Sequence, residues 1–357
     1  MLTPLENTAL FGHVEVEAQL LRLIAQKKLP HAIMFCGAEG IGKATLAYRL
    51  AKYLLTGAEQ PEPVMGLFGP EPTEENLACD AEHSAMRRIL AGSHGDLLVI
   101  QPEFDEKKKT SVDTVFIDQV RPVIEFMHQT ASESEWRIVI VDPIEALNTA
   151  AANALLKVLE EPPSQALLLL ISHQPGKLLP TIKSRCRKIN LRTPSEVDSK
   201  KIFGHLGQQV PPEDLHQLLV LTQGSAGRAL HYYQNGALIV YRDILEILMQ
   251  PSPKNNARFA SAAAKAGSES WPLYKDLFLQ VIYRLSVFAS APAEFIALDG
   301  EEKECFVALL ARHKLDNWLN LWEKAEMLLQ QVGSLTLDKQ QVMLSLLNAA
   351  QGQARAA

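Results

Sequence analysis

The stretch "GAEGIGKAT", Gly37 to Thr45, carries most of a phosphate-binding loop of the form G-x-x-x-x-G-K-[ST]. Such a loop turns backbone N–H groups toward phosphate oxygens at a helix N-terminus, and its lysine reaches the outer phosphates. Gly37, Gly42 and Lys43 are in place, with Gly40 inside the loop, but Ala44 stands where a hydroxyl would ligate Mg²⁺. Thr45 follows, rotated by ~100° around a helix, so it is a poor substitute for the missing hydroxyl.

A second element of phosphoryl-transfer chemistry is an apolar strand ending in Asp-Glu, in which the aspartate helps hold the metal and the glutamate activates water. "IVIVDPIE" supplies Asp142, places Pro143 at the glutamate position and offers Glu145 two residues on. Two catalytic positions are therefore altered in one site, and that predicts little hydrolysis. Arg185, within Ser184-Arg185-Cys186 and with Lys183, Arg187 and Lys188 around it, reads when taken alone as part of a basic surface strip.

The elements needed to position these residues are legible. "AIMFC" (32–36) reads as a buried strand leading through the glycine loop into the periodic helix "ATLAYRLAKYLL". Further strands are expected at "DLLVI" (96–100), "WRIVIVD" (136–142), "ALLLLISH" (166–173) and near Ile189, and their continuous apolar character implies a sheet covered on both faces. "VFIDQVRPVIEFM" and the stretch from Asn148, a cap, to Pro162 and Pro163, a stop, are expected helices. The Pro- and Gly-rich stretch from Thr56 to Pro72 reads as an insertion, "EFDEKKKTS" as an exposed charged loop, and "AQGQARAA" as a frayed tail. Strand and helix alternate to about residue 194, which indicates a three-layer α/β domain. Helical periodicity alone takes over beyond it, with a linker at "MQPSPKNN" and with Trp318 and Trp322 four apart on one helical face.

Length and composition agree with several folded cores. A chain of 357 residues exceeds one ordinary domain, and 47% hydrophobic with 6% aromatic content describes a folded, helix-leaning protein. A formal net charge of -6 excludes an overall basic field, so contact with nucleic acid would depend on local patches. Cys36, Cys79, Cys186 and Cys305 show no paired spacing, which fits a reducing compartment and a cytoplasmic location. No basic start followed by an apolar core opens the chain, and the longest aliphatic run falls far short of the ~20 residues of a membrane span.

Taken in order and spacing, "GAEGIGKAT", "IVIVDPIEALNTAAANALLKVLEEPPSQALLLLISH", "LLPTIKSRCRKINL" and "GSAGRAL" resemble the bacterial sliding-clamp loader subunits of the AAA+ class, nearest the delta-prime branch of DNA polymerase III. The likeness covers about residues 5 to 230, with the "LEEPP" block and the Ser-Arg-Cys triplet its most discriminating parts. It implies an AAA+ α/β P-loop domain (1–194), a helical lid domain (195–252) and a C-terminal helical collar domain for oligomerisation (253–357). Arg185 would be an arginine finger acting in trans on a neighbour's ATP. Gly37, Gly40, Gly42, Lys43, Thr45, Asp142 and Arg228 would form a degenerate nucleotide site in which ATP or ADP binds without hydrolysis, and Arg228 is equally open to a packing or ion-pair role.

The implied function is assistance in ATP-driven loading of the sliding clamp onto primed DNA, as a subunit of the DNA-directed DNA polymerase III holoenzyme with no required cofactor. Implied partners are tau/gamma and delta-type subunits, the clamp through the complex, and primer-template DNA, with no membrane. Many such subunits carry a four-cysteine zinc module; here Cys79, His83 and His94 are too few and too poorly spaced, so no zinc is expected and the histidines read as solvated loop residues. The alternative is an autonomous AAA+ ATPase, a motor-type loader subunit or remodeller, with Thr45 and Glu145 acting in unusual geometry.

Overall fold

The computed structural model describes residues 2–57, 65–66, 69–70, 76–80, 82–102, 104–105, 110–111, 114–265, 271–334 and 337–352. Two compact units emerge: Met1–Gln209 together with Ser225–Gly227, and Val210–Gly224 together with Arg228–Ala357.

In the first unit five parallel strands form one sheet: β1 (Ala32–Cys36), β2 (Leu97–Ile100), β3 (Arg137–Val141), β4 (Ala166–Ser172) and β5 (Arg187–Asn190), in the spatial order β2-β3-β4-β1-β5. β1 and β4 pair in register from Ala32↔Leu168 to Cys36↔Ser172. Every residue of β1, β3 and β4 is buried, because helices cover both faces. Alternation sorts the side chains. Ile33, Phe35, Ile138, Ile140, Leu167, Leu169 and Ile171 enter one apolar cluster, and Ala32, Met34, Val139, Val141, Leu168 and Leu170 enter the other.

The first cluster is completed by α1 (Val14–Ala25), α2 (Lys43–Thr56) and α3 (Ser84–Leu90). α2 starts at the glycine loop and is buried along nearly all its length; it ends where Gly57, at φ 62°, adopts the left-handed conformation that needs no Cβ. The second cluster takes α4 (Ile117–His128), which holds Pro122 in its interior, α5 (Thr149–Glu160) and α6 (Pro180–Arg185). Asn148 caps α5 by accepting from the Ala151 N–H at 2.8 Å. α7 (Glu196–His205) also belongs to this unit.

Two features depart from the sequence expectation. His94 is not solvated: it is buried, with Nδ1 accepting from the Asp96 N–H at 3.2 Å, while His83 is exposed and caps α3 through Nδ1. Asp96 creates that burial by accepting from the backbone N–H groups of Ser132, Glu133 and Ser134 and from the Ser132 hydroxyl. The charged loop also contains a short antiparallel pairing of Phe104–Asp105 with Thr110–Ser111, while 106–109 lie outside the described residues. Most of the stretch read as an insertion, and the tail from 353, lie outside them as well.

The second unit is helical throughout its described residues: α8 (Pro212–Leu221), α9 (Ala226–Gln234, whose first two residues cluster with the first unit), α10 (Ala237–Met249), α11 (Pro253–Lys265), α12 (Trp271–Ser290), α13 (Gly300–Arg312), α14 (Leu315–Ser334) and α15 (Lys339–Ala350). Trp318, Tyr241, Phe278 and Phe306 are its largest fully buried side chains. A buried charge network ties three helices together: Glu302 on α13 takes Arg284 Nη2 of α12 at 2.7 Å and the Tyr241 hydroxyl of α10 at 2.6 Å. Among the described residues no helix is long and apolar enough to cross a membrane.

Candidate nucleotide site and arginine surface

The loop between β1 and α2 is bent by three glycines with positive φ, Gly37 (150°), Gly40 (75°) and Gly42 (99°). A Cβ at Gly37 would lie 2.8 Å from the Leu191 carbonyl oxygen and 2.7 Å from Ile41 Cδ1, so the turn excludes any side chain there. The loop is anchored on three sides. His13, buried, places Nε2 2.7 Å from the Ile41 carbonyl oxygen; the Ser225 hydroxyl donates to the Glu39 carbonyl at 2.6 Å; and the Gly227 N–H donates to the Gly40 carbonyl at 2.8 Å.

Lys43 is 2% exposed, and its ammonium donates to the carbonyl oxygens of Gly37 and Ala38, at 2.8 and 2.5 Å. Burial lowers its pKa to about 8, against the pull of Asp142, Glu39 and Glu145. Asp142 sits at the end of β3, where burial raises its carboxyl to about 6; Lys43 opposes the rise, and Glu145 and Glu39 add to it. Glycine-bent backbone and lysine thus fit a phosphate chain. The metal-ligand set does not, because the Ala44 side chain is a methyl group and Thr45 is buried within α2.

Glu145 does not stand in for the missing glutamate. Its Oε1 accepts from the Ser172 hydroxyl at 2.5 Å and from the Gln174 N–H at 2.7 Å, so the carboxylate is tied to the end of β4. Oε2 is buried with no hydrogen-bond partner among the described residues. A base restrained by two donors is poorly placed to activate water. Ser172 is fully buried and escapes sequence reasoning, since a serine ending an aliphatic run reads as a strand boundary; its one signal is its place at the C-terminal end of a strand adjoining the Asp142 strand.

Arg185 ends α6. Its Nη2 lies 2.8 Å from Glu160 Oε1, and Nη1 donates to the Thr181 carbonyl at 3.1 Å; 35% of the side chain stays exposed. Cys186 packs against the apolar cluster beneath, and burial pushes its thiol to about 12, so it is an inert filler beside the arginine. On α9 in the second unit, Arg228 donates to the Tyr232 hydroxyl at 3.1 Å and lies 5.6 Å from its ring centroid. Cys79, His83 and His94 do not converge: Cys79 packs against the core around α2, and no described cluster of three or more His, Cys, Asp or Glu could hold a metal ion.

The family described as "DNA polymerase III, delta subunit" matches residues 12–195, the part of the chain that carries the loop, Asp142, Glu145 and Arg185. The chain belongs to that family. A DNA polymerase III subunit delta' of Pseudomonas aeruginosa is 38% identical over 206 residues, covering 58% of this chain and 56% of the relative. The subunit delta' of Escherichia coli K12 is 33% identical over 206 residues, 57% and 54% of the two chains. The subunit tau of Bacillus subtilis 168 is 30% identical over 204 residues, 57% of this chain and 31% of that one. The chain thus spans about half the length of the delta' relatives it matches.

In this delta-subunit family member the loop's support reaches past the matched residues. "GSAGRAL" is noticeable in sequence for Arg228, yet Ser225 and Gly227 are what grip the loop; a Cβ at Gly227 would lie 2.8 Å from the Gly40 carbonyl oxygen. His13 carried no signal beyond being a lone histidine ahead of an amphipathic helix.

Proposed function

We propose that this chain is a delta-prime-type subunit of the DNA polymerase III clamp-loader assembly, assisting ATP-driven loading of the sliding clamp onto primed DNA while hydrolysing little or no ATP itself. The observation that carries this reading is the state of the site around Lys43. The phosphate-facing glycines and lysine are retained, whereas the metal hydroxyl is replaced at Ala44, the glutamate position is Pro143, and Glu145 is bound to Ser172 and Gln174. ATP or ADP could lodge at Gly37, Gly40, Gly42, Lys43, Thr45 and Asp142 without turnover, and neither zinc nor another cofactor is required.

Arg185 is proposed as the arginine finger, reaching the ATP of an adjoining subunit; a planar, permanently charged fork suits developing phosphoryl charge. The proposed partners are tau/gamma and delta-type subunits, the clamp through the complex, and primer-template DNA, all in the cytoplasm. The helices after residue 252 are proposed as the collar that joins the subunits, and those of 195–252 as the lid. Steady-state hydrolysis by the purified chain tests the silent site: turnover at background, unchanged by Lys43→Ala, is expected. Turnover that Lys43→Ala abolishes would establish an autonomous ATPase instead.

A further inference from the structure

Glu160 sits at an electrostatically unfavourable place. It is the last residue of α5, Glu161 follows as the C-cap, and the C-terminal end of a helix carries partial negative charge that disfavours carboxylates. The helix stops there because Pro162 and Pro163 follow. Nothing in the packing of α5 calls for an acid, since Glu160 is 49% exposed. Among the described residues its one ion pair runs to Arg185 Nη2 at 2.8 Å, and it joins the "LEEPP" segment to the Ser-Arg-Cys segment across 25 residues of chain.

The arginine is held on a second side. Arg185 Nη1 donates to the Thr181 carbonyl one turn back on α6, an oxygen that also accepts from the Ser184 hydroxyl at 3.0 Å. A long arginine side chain anchored at both terminal nitrogens has surrendered much of its rotamer freedom before any ligand arrives. It remains about a third exposed, and although Nη1 also reaches the Ser184 hydroxyl oxygen at 3.5 Å, further N–H groups of the fork remain for a ligand.

We propose that Glu160 is a positioning residue for Arg185: its carboxylate fixes the guanidinium at the subunit surface, so that phosphate on an adjoining subunit meets a cation already ordered. This rests on the reading of Arg185 as a finger, and it assigns to "LEEPP" a task other than ending a helix. An exposed ion pair contributes little to folding, so the effect belongs to the rate of the assembled complex and not to the stability of the chain.

The test uses the reconstituted clamp-loader complex with clamp and primed DNA, comparing Glu160→Ala, Glu160→Gln, Arg185→Ala and the double variant Glu160→Ala/Arg185→Ala. Glu160→Ala is expected to lower kcat for ATP about 3- to 10-fold with KM within about twofold. Glu160→Gln is expected to recover part of the loss, because an amide oxygen still accepts from Nη2. In the Arg185→Ala background, Glu160→Ala is expected to change nothing further. An equal fold-loss in both backgrounds, or an unchanged or raised kcat in the single Glu160→Ala variant, overturns the positioning role while leaving the finger standing. An unchanged rate for Arg185→Ala alone overturns the finger, and the positioning role with it.

Discussion

Lys43 donates to the Gly37 carbonyl oxygen at 2.8 Å, so the ammonium that would meet phosphate is bonded to the loop's own backbone. Binding ATP must exchange this bond and the one to Ala38 for phosphate contacts, and Ala44 brings no metal ligand in return. Weak binding with little dependence on Mg²⁺ is expected. Equilibrium titration of a fluorescent ATP analogue with Mg²⁺ or with chelator measures it, and strong enhancement by Mg²⁺ would contradict the role given to Ala44.

Asp142 yields a pH signature with a definite sign. Its carboxyl is raised from 3.8 to about 6, so over that window the folded chain binds a proton more tightly than the unfolded chain, and this group's contribution to stability falls as pH rises. The charged groups facing it are Lys43, Glu145 and Glu39; Lys43, at about 8, stays protonated throughout the window. Asp142→Asn is therefore expected to gain about 1–3 kcal/mol relative to the parent chain between pH 4 and 7, measured by urea unfolding. A difference that does not change with pH would refute it.

The loop's shape depends on two glycines that lack room for a methyl group. Gly37→Ala meets both a φ of 150° and the Leu191 carbonyl oxygen, while Gly227→Ala meets the Gly40 carbonyl and would break its hydrogen bond to the Gly227 N–H. Each is expected to cost about 1–3 kcal/mol. Gly176→Ala, where no atom of the described residues lies within 4 Å of the added Cβ, serves as the control and should leave the melting temperature unchanged.

In the helical unit, Glu302→Ala would strand Arg284, a buried cation, without its counter-charge, and would also remove the acceptor of the Tyr241 hydroxyl. A loss of about 3–5 kcal/mol is expected by chemical denaturation. A loss under ~1 kcal/mol would mean that water reaches the network.

Much of this was legible in sequence because the signal was local. The aliphatic runs at 32–36, 137–141 and 166–172 became strands buried on both faces, and α5 starts at Asn148 and stops before Pro162 as capping and proline chemistry dictate. What escaped depends on partners distant in the chain. His94 is buried because Asp96 gathers N–H groups from 132–134, and Glu145 is diverted by Ser172, 27 residues later. The loop's anchors at His13, Ser225 and Gly227 lie up to 187 residues from the atoms they hold. No periodicity or motif encodes such pairings.

The proposed division of labour between a silent Lys43 site and an active Arg185 is tested most directly by ATP turnover in the reconstituted complex, stimulated by clamp and primed DNA, with Arg185→Ala and Arg185→Lys. A fall of at least about tenfold is expected for alanine, and lysine should rescue little because a point charge cannot reproduce the guanidinium fork. Turnover equal to that of the parent complex in both variants would contradict the account.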